Sequence, residues 1–333
     1  MKKRFLALLM LVGVLQGKAQ VDPHFSEYYV YPSWLNPALT GAFDGDYRVA
    51  AIYRNQWGNI ANGFSTIGLS ADFVTNKNLN FGGSILQQTA GTGGFTYLTA
   101  NASIAYTGVK FGVNGHQRLV FGLQGGLNQR RFNTSKFQTG DQWFAATGYT
   151  PTSPSTDVVA NPSASVFDAS AGLAYYDATP NKKVNVFAGF SASHITQPDD
   201  KFISTSSVKS KFPIRYTLHG GAKIKTSETF SITPNFLYLQ QGNATEKMLG
   251  AYAQVKATQE TDVLLGFNYR LDDAIIPFAG FYYKNFTLGL SYDINNSQLG
   301  KNIATTNSFE ISLTYIGRKA KELADKHFVC PRL

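Results

Sequence analysis

Apolar and polar residues alternate with a period of two along most of this chain, the pattern of strands with one buried and one polar face. In Val263 to Leu271, Val263, Leu265, Phe267, Tyr269 and Leu271 share a face, while Gly266, Asn268 and Arg270 lie on the other. Phe309, Ile311, Leu313 and Tyr315 oppose Glu310, Ser312 and Thr314 in the same way. Tyr47, Val49, Ala51 and Tyr53 oppose Arg48, Ala50, Ile52 and Arg54. The alternation predicts fourteen strands: 47–54, 65–74, 80–88, 97–108, 117–128, 165–176, 184–194, 215–225, 229–240, 246–256, 261–271, 274–283, 286–292 and 307–315. Most span the 9–11 residues or so that a tilted strand needs to cross a bilayer.

The connections sort by parity. One set, 75–79, 109–116, 177–183, 226–228, 257–260 and 284–285, is short, whereas the other set holds 55–64, 129–164, 195–214 and 293–306. Short periplasmic turns alternating with long extracellular loops are the rule for bacterial outer-membrane barrels, while a soluble sandwich has no reason to sort its loops. The expected fold is therefore all-β, a transmembrane antiparallel β-barrel of about fourteen strands over 47–316, ending in a short periplasmic tail, 317–333. Polar positions facing the lumen recur (Arg54, Gln124, His219, Lys223, Lys256, Arg270, Glu310), amid Gly, Ser and Ala that make the bore sparse in charge. Tyrosines near strand ends (Tyr47, Tyr53, Tyr97, Tyr106, Tyr216, Tyr238, Tyr269, Tyr292, Tyr315) suit an interfacial girdle.

The N-terminus sets the compartment. Lys2, Lys3 and Arg4 precede the apolar run Phe5–Leu15 and then Gly17-Lys18-Ala19, the plan of a secretory signal peptide over 1–19 that is too short to span a membrane. Four positive charges sit in this leader, so the mature chain keeps about +5 of the formal +9, which is no argument for nucleic acid. A single cysteine, Cys330, excludes an internal disulfide framework and a thiolate zinc cluster. The turn-rich segment 20–46 precedes the first strand and is expected in the periplasm or at the barrel rim, with the lumen as the other place for it.

Candidate chemistry is thin. The five histidines (His24, His116, His194, His219, His327) make no ligand pair at i, i+2 or i, i+4, and no acidic cluster has calcium-loop spacing. Ser206-Ser207-Val208-Lys209 fits Ser-x-x-Lys but lies in a Ser/Thr-rich loop, without the helix that chemistry needs. No enzyme, cofactor or metal is expected. The long loops are the candidate working surface: Arg130, Arg131, Phe132, Phe137, Trp143, Phe144 and Tyr149 in the first, with Lys201, Phe202, Lys211 and Phe212 in the second. Aromatics and arginines are the side chains that dominate protein interfaces.

The start of the mature chain, "QVDPHFSEYYVYPSWLNPALTGAFDGDYRVAAIYRNQW", resembles the N-terminal signature of the PorP/SprF family of type IX secretion membrane proteins from Bacteroidetes-type, Gram-negative bacteria. The matching residues are Asp22-Pro23, Phe25-Ser26, Tyr28, Asn36-Pro37-Ala38, Gly41 and Tyr53-Arg54-Asn55-Gln56-Trp57. The resemblance implies a non-enzymatic outer-membrane barrel that docks or anchors secreted cargo, including gliding adhesins, through the cargo's C-terminal domain. It also implies a periplasmic partner, a peptidoglycan-binding or type IX machinery protein, facing the tail and the segment 20–46. The competing function is a transport barrel, either a porin or a FadL-like uptake channel for hydrophobic compounds. An outer-membrane hydrolase or acyltransferase lacks a nucleophile and base pair.

Overall fold

In a computed structural model of the chain, residues 22–58, 63–75, 77–92, 94–155, 161–200, 210–297 and 306–318 are described. The leader, Lys201, Phe202, Cys330 and the tail beyond Arg318 lie outside them. The alternating segments form β1 (Tyr47–Gln56), β2 (Phe64–Phe73), β3 (Leu79–Ala90), β4 (Phe95–Phe111) and β5 (Gln117–Arg131). After a loop that carries a small hairpin, β6 (Trp143–Phe144) and β7 (Gly148–Tyr149), the wall resumes with β8 (Ser163–Asp177) and β9 (Val184–Ser193). It continues through β10 (Arg215–Lys225), β11 (Phe230–Gln241), β12 (Ala244–Lys256) and β13 (Thr261–Arg270). The last strands are β14 (Ala274–Tyr283), β15 (Phe286–Asn295) and β16 (Ser308–Gly317).

Fourteen of these strands pair antiparallel with their neighbours, and β1 pairs with β16 through ten register positions, from Tyr47↔Gly317 to Gln56↔Ser308. Closure leaves no strand edge to be satisfied in hydrocarbon, the condition for crossing a bilayer with strands. All fourteen segments read from the alternation are wall strands. The faces follow too: Leu123, Phe167 and Phe267 point outward at 60%, 62% and 59% exposure, while Arg48, Ala50, Ile52 and Arg54 are buried in the bore.

The connections 74–78, 112–116, 178–183, 226–229, 257–260 and 284–285 gather at one end, which also carries the start of β1 and the end of β16. The connections from β5 to β8, from β9 to β10 and from β15 to β16 leave from the other. By the outer-membrane rule the first end is periplasmic and the second extracellular. Aromatic pairs mark both levels: Tyr47–Tyr315 and Phe286–Tyr315 at 5.9 and 4.8 Å near the periplasmic end, Tyr53–Phe309 at 5.9 Å near the other. Tyr97 departs from the expected girdle. It lies on the luminal side of β4, 3% exposed, because its hydroxyl reaches Asp22 inside the bore.

Candidate functional site

The bore is not empty. Residues 22–43 run through it, most of them buried, which decides for the lumen over the periplasm or the rim. From Asp22 at the extracellular end the segment descends through a one-turn helix, α1 (Pro32–Leu35), and a 3-10 turn (Pro37–Leu39), and reaches the periplasmic rim at Tyr47. The physical reason is the plug's own composition. Phe25, Tyr28, Tyr29, Tyr31, Leu35 and Leu39 have enough apolar surface to pack against luminal residues such as Ile52, Leu86, Val120 and Ile276, rather than stay wet. Tyr29 meets Tyr252 and Phe278 with ring centroids 6.1 and 5.8 Å apart.

At the loop end the plug is latched by charge. His194, the residue after β9, donates from Nε2 to Asp22 at 2.7 Å, and Arg215 Nη1 donates to the same Asp22 oxygen at 2.9 Å. His194 Nδ1 faces Asp168 at 2.5 Å. Gln241 accepts the Asp22 backbone N–H at 2.9 Å, and the Arg215 guanidinium lies 4.3 Å over the Trp34 ring. Burial works against the His194 charge, but Asp22 and Asp168 outweigh it and push the imidazole up to about 9. Burial likewise opposes the Asp22 carboxylate, yet His194 and Arg215 hold it well below the usual carboxylate range. The residue is therefore an imidazolium clamped between two carboxylates.

A second cluster grips Ser26. Its hydroxyl donates to Asp293 at 2.7 Å and accepts from Arg54 and Arg270 at 2.8 and 2.5 Å. Its backbone N–H and that of Glu27 donate to the two Glu310 oxygens at 2.6 and 2.8 Å. Arg54 pairs with both Asp293 and Glu310, and Arg270 with Asp293. Arg270 also pairs with Glu246 and Asp273, so two guanidinium groups face four carboxylates and each partner depends on the others. The bore is consequently rich in charge, correcting the expectation of a sparse one. Alternation marks a luminal position but cannot tell a lone polar residue from one of a pair brought together by closure.

The signature residues fall into place around this plug. Asn36 caps the 3-10 turn by accepting from Ala38 N–H at 2.9 Å, and its amide donates to the carbonyls of Leu173 and Phe190 at 3.0 and 3.3 Å. Gly122 of β5 and Gly172 of β8 form the floor beneath Asn36-Pro37-Ala38: a Cβ on Gly122 would lie 2.2 Å from Ala38 N. Gly41, at φ 75°, donates its N–H to Asp72, which also pairs with Arg48. Tyr53 faces outward, Arg54 inward, Gln56 accepts from Arg54 Nε at 3.5 Å, and Trp57 packs edge-on against Phe64 at 5.8 Å.

The loop candidates divide. Phe132 and Phe137 pack at 5.3 Å, Phe95 meets Phe132 at 5.3 Å, and Trp143 pairs with Tyr149 across the β6–β7 hairpin at 5.7 Å. Trp143 and Phe144 stay 57% and 47% exposed, and Arg131 and Lys211 are exposed. Arg130 and Phe212 do not belong to a docking face. Arg130 is luminal by the alternation of β5, bonds Asp200 at 2.6 Å and lies 4.2 Å over the buried Phe212 ring, tying the end of β5 to both. Among the described residues no group of three or more His, Cys, Asp and Glu is placed to hold a metal ion. The plug latch was missed from sequence, since Asp22, Asp168, His194 and Arg215 meet only through the fold.

Comparison with known proteins adds to this. No curated protein matches the chain. Solved structures with a similar fold include the CymD monoaromatic hydrocarbon channel (12% identity, 87% of this chain and 93% of that one, TM-score 0.48). Others are the Ralstonia pickettii toluene transporter TbuX (9%, 84% and 90%, 0.47) and a Pseudomonas aeruginosa FadL homologue (11%, 84% and 92%, 0.44). The profile of the type IX secretion system membrane protein PorP/SprF matches residues 17–315, nearly the whole chain including plug and wall, and the chain belongs to that family of outer-membrane barrels.

Proposed function

We propose that this barrel is a non-enzymatic docking element of the type IX secretion machinery, which holds the C-terminal domain of a secreted or surface-adhesin cargo at its loop face. The observation that carries the reading is the plug: a bore occupied from Asp22 to Phe43 and latched at the loop end by buried ion pairs suits a platform better than a conduit. The loop face offers what a partner needs. The β6–β7 hairpin is braced by Gln142, whose Nε2 donates to the Ser153 carbonyl at 2.7 Å, and it presents Trp143 and Phe144 to the outside. Large aromatics held on a folded loop anchor interfaces at a low cost in ordering. Arg131 and Lys211 complete the candidate face, while Arg130 and Phe212 serve the plug. At the other end, the periplasmic partner, a peptidoglycan-binding or machinery protein, would meet the rim and the chain beyond Arg318, not the buried segment 22–43.

The test is recovery of cargo. Affinity purification from native outer membranes should retrieve a secreted protein through its C-terminal domain, and loss of the gene should leave that protein unsecreted or detached with permeability unchanged. Normal secretion in the deletion strain, together with lost uptake of a small hydrophobic compound, would favour the transport reading instead.

A further inference from the structure

Between the plug and strands β12 to β16 lies a cavity of about 130 Å³ that the plug's packing does not fill. Its walls are apolar on one side, with Tyr29 and Val30 from the plug and Tyr252, Leu264 and Phe278 from the barrel, and polar on the other, with Arg48, Thr287, Ser312 and Thr314. Its lower rim is formed by Asp44, Asn285, Ile316 and Arg318, residues of the periplasmic end, with Asp44 and Arg318 paired at 2.7 Å. Toward the loop end the next luminal residues along β15 and β16 are Ser291 and Glu310, which belong to the level of the Ser26 cluster. The cavity therefore lies at the periplasmic end of the bore.

Glu27 lines this pocket and is 1% exposed. Ser312 donates to its Oε2 at 2.6 Å and the Ser291 hydroxyl also stabilises the carboxylate, while Oε1 makes no hydrogen bond of normal geometry among the described residues. The carboxyl is seated in a slot opposite Gly289, where a Cβ would come within 2.3 Å of Oε2, so it cannot turn away through that wall. Burial first, and Glu310 next to it, push the Glu27 carboxyl above the usual carboxylate range, against the hydrogen bonds from Ser312 and Ser291. Glu310 is already committed to Arg54 and to two plug N–H groups. A buried acceptor left unpaired is costly, and here it borders an unfilled apolar space. An apolar cavity of about 150 Å³ takes a molecule such as benzene, and the apolar side of this pocket offers a comparable seat beside its polar lining.

We infer that this pocket is a ligand site, entered from the periplasm, for a small apolar molecule of about one ring carrying a single hydrogen-bond-donating head, an amine above all. The ring would rest among Tyr29, Tyr252, Leu264 and Phe278, and the head would donate to Glu27. The inference does not depend on cargo docking, since it concerns the opposite end of the bore.

The test uses the purified full-length protein in detergent and two probes of one shape, benzylamine and toluene, titrated by calorimetry. Benzylamine should bind saturably at one site and more tightly than toluene. Glu27→Gln should lower benzylamine affinity by about tenfold, the loss of one charge-assisted bond, and leave toluene unchanged. Thr287→Trp, which fills the pocket from β15, should abolish both. Heat-modifiable gel mobility confirms a folded barrel in each case. If Glu27→Gln fails to fold, the Thr287→Trp result and the preference of the unaltered protein still decide. Absence of saturable binding, binding that Thr287→Trp leaves intact (the probe then resides in the micelle), or equal affinity for the two probes would each overturn the inference.

Discussion

Replacing Gly122 by alanine puts a methyl group where the plug's backbone already lies. An added Cβ would stand 2.2 Å from Ala38 N and 2.3 Å from the Pro37 carbonyl carbon. Both are backbone atoms of the 3-10 turn Pro37–Leu39, so no rotamer change can relieve the overlap, and the turn must lift away as a unit. The wall has no such difficulty, because alanine fits an antiparallel strand at that register. Overpacking of a close contact costs about 1–3 kcal/mol. At about 1.4 kcal/mol per factor of ten, the undocked population of the plug should rise about 5- to 150-fold. Ser33 offers the reporter: it is buried in the plug, and its hydroxyl has no hydrogen-bond partner among the described residues. With Cys330→Ser removing the one native thiol, Ser33→Cys should react slowly with a water-soluble maleimide. Adding Gly122→Ala should speed the reaction by the factor above. Gly83→Ala is the control, since its Cβ would meet only Asn101 O at an ordinary 3.6 Å. Unchanged labelling in a folded Gly122→Ala barrel would refute the docking of Asn36-Pro37-Ala38 on the β5–β8 floor.

The His194 latch predicts a pH dependence. A group whose pKa is raised by docking contributes fully below its ordinary value near 6.5 and loses that contribution as pH climbs through about 9. Labelling of Ser33→Cys, normalised to an exposed cysteine at the same pH, should therefore rise across that window; Asp168→Asn should flatten the rise, and a flat profile in the parent would contradict the latch. Arg54→Ala leaves Asp293 and Glu310 short of a buried cation, a loss of about 3–5 kcal/mol, visible as a lower temperature at which the folded gel band disappears. A Trp143→Ala, Phe144→Ala double variant should keep that temperature unchanged while reducing cargo retained at the cell surface, because both side chains are exposed and brace nothing in the wall. Full cargo retention would remove the hairpin from the docking face.

The wall was legible in the sequence because one physical rule, apolar residues toward lipid at alternate positions, acts on every strand from Tyr47 to Gly317. Loop parity then fixed which end is which, since the long connections from β5 to β8 and from β9 to β10 leave from the same end. The plug was not legible for the converse reason. Asp22 and Arg215, or Ser26 and Glu310, lie 193 and 284 residues apart and carry no local sign of their meeting. The apolar residues of 22–43 have no period to betray a partner, because an irregular segment in a bore is covered on all sides. Arg130 and Phe212 were misassigned for a related reason: an arginine and a phenylalanine at a loop edge look alike whether they face a partner or roof a plug. Tyr97 shows the limit of reading a girdle from strand ends, since its position on β4 is luminal by parity.

The most direct measurement is conductance in planar bilayers, with the intact protein beside a variant lacking residues 22–43. A bore filled by its own N-terminal segment predicts silence from the first and discrete openings from the second. Steady, large openings from the intact protein would contradict the plugged lumen, and with it the reading of this barrel as a platform.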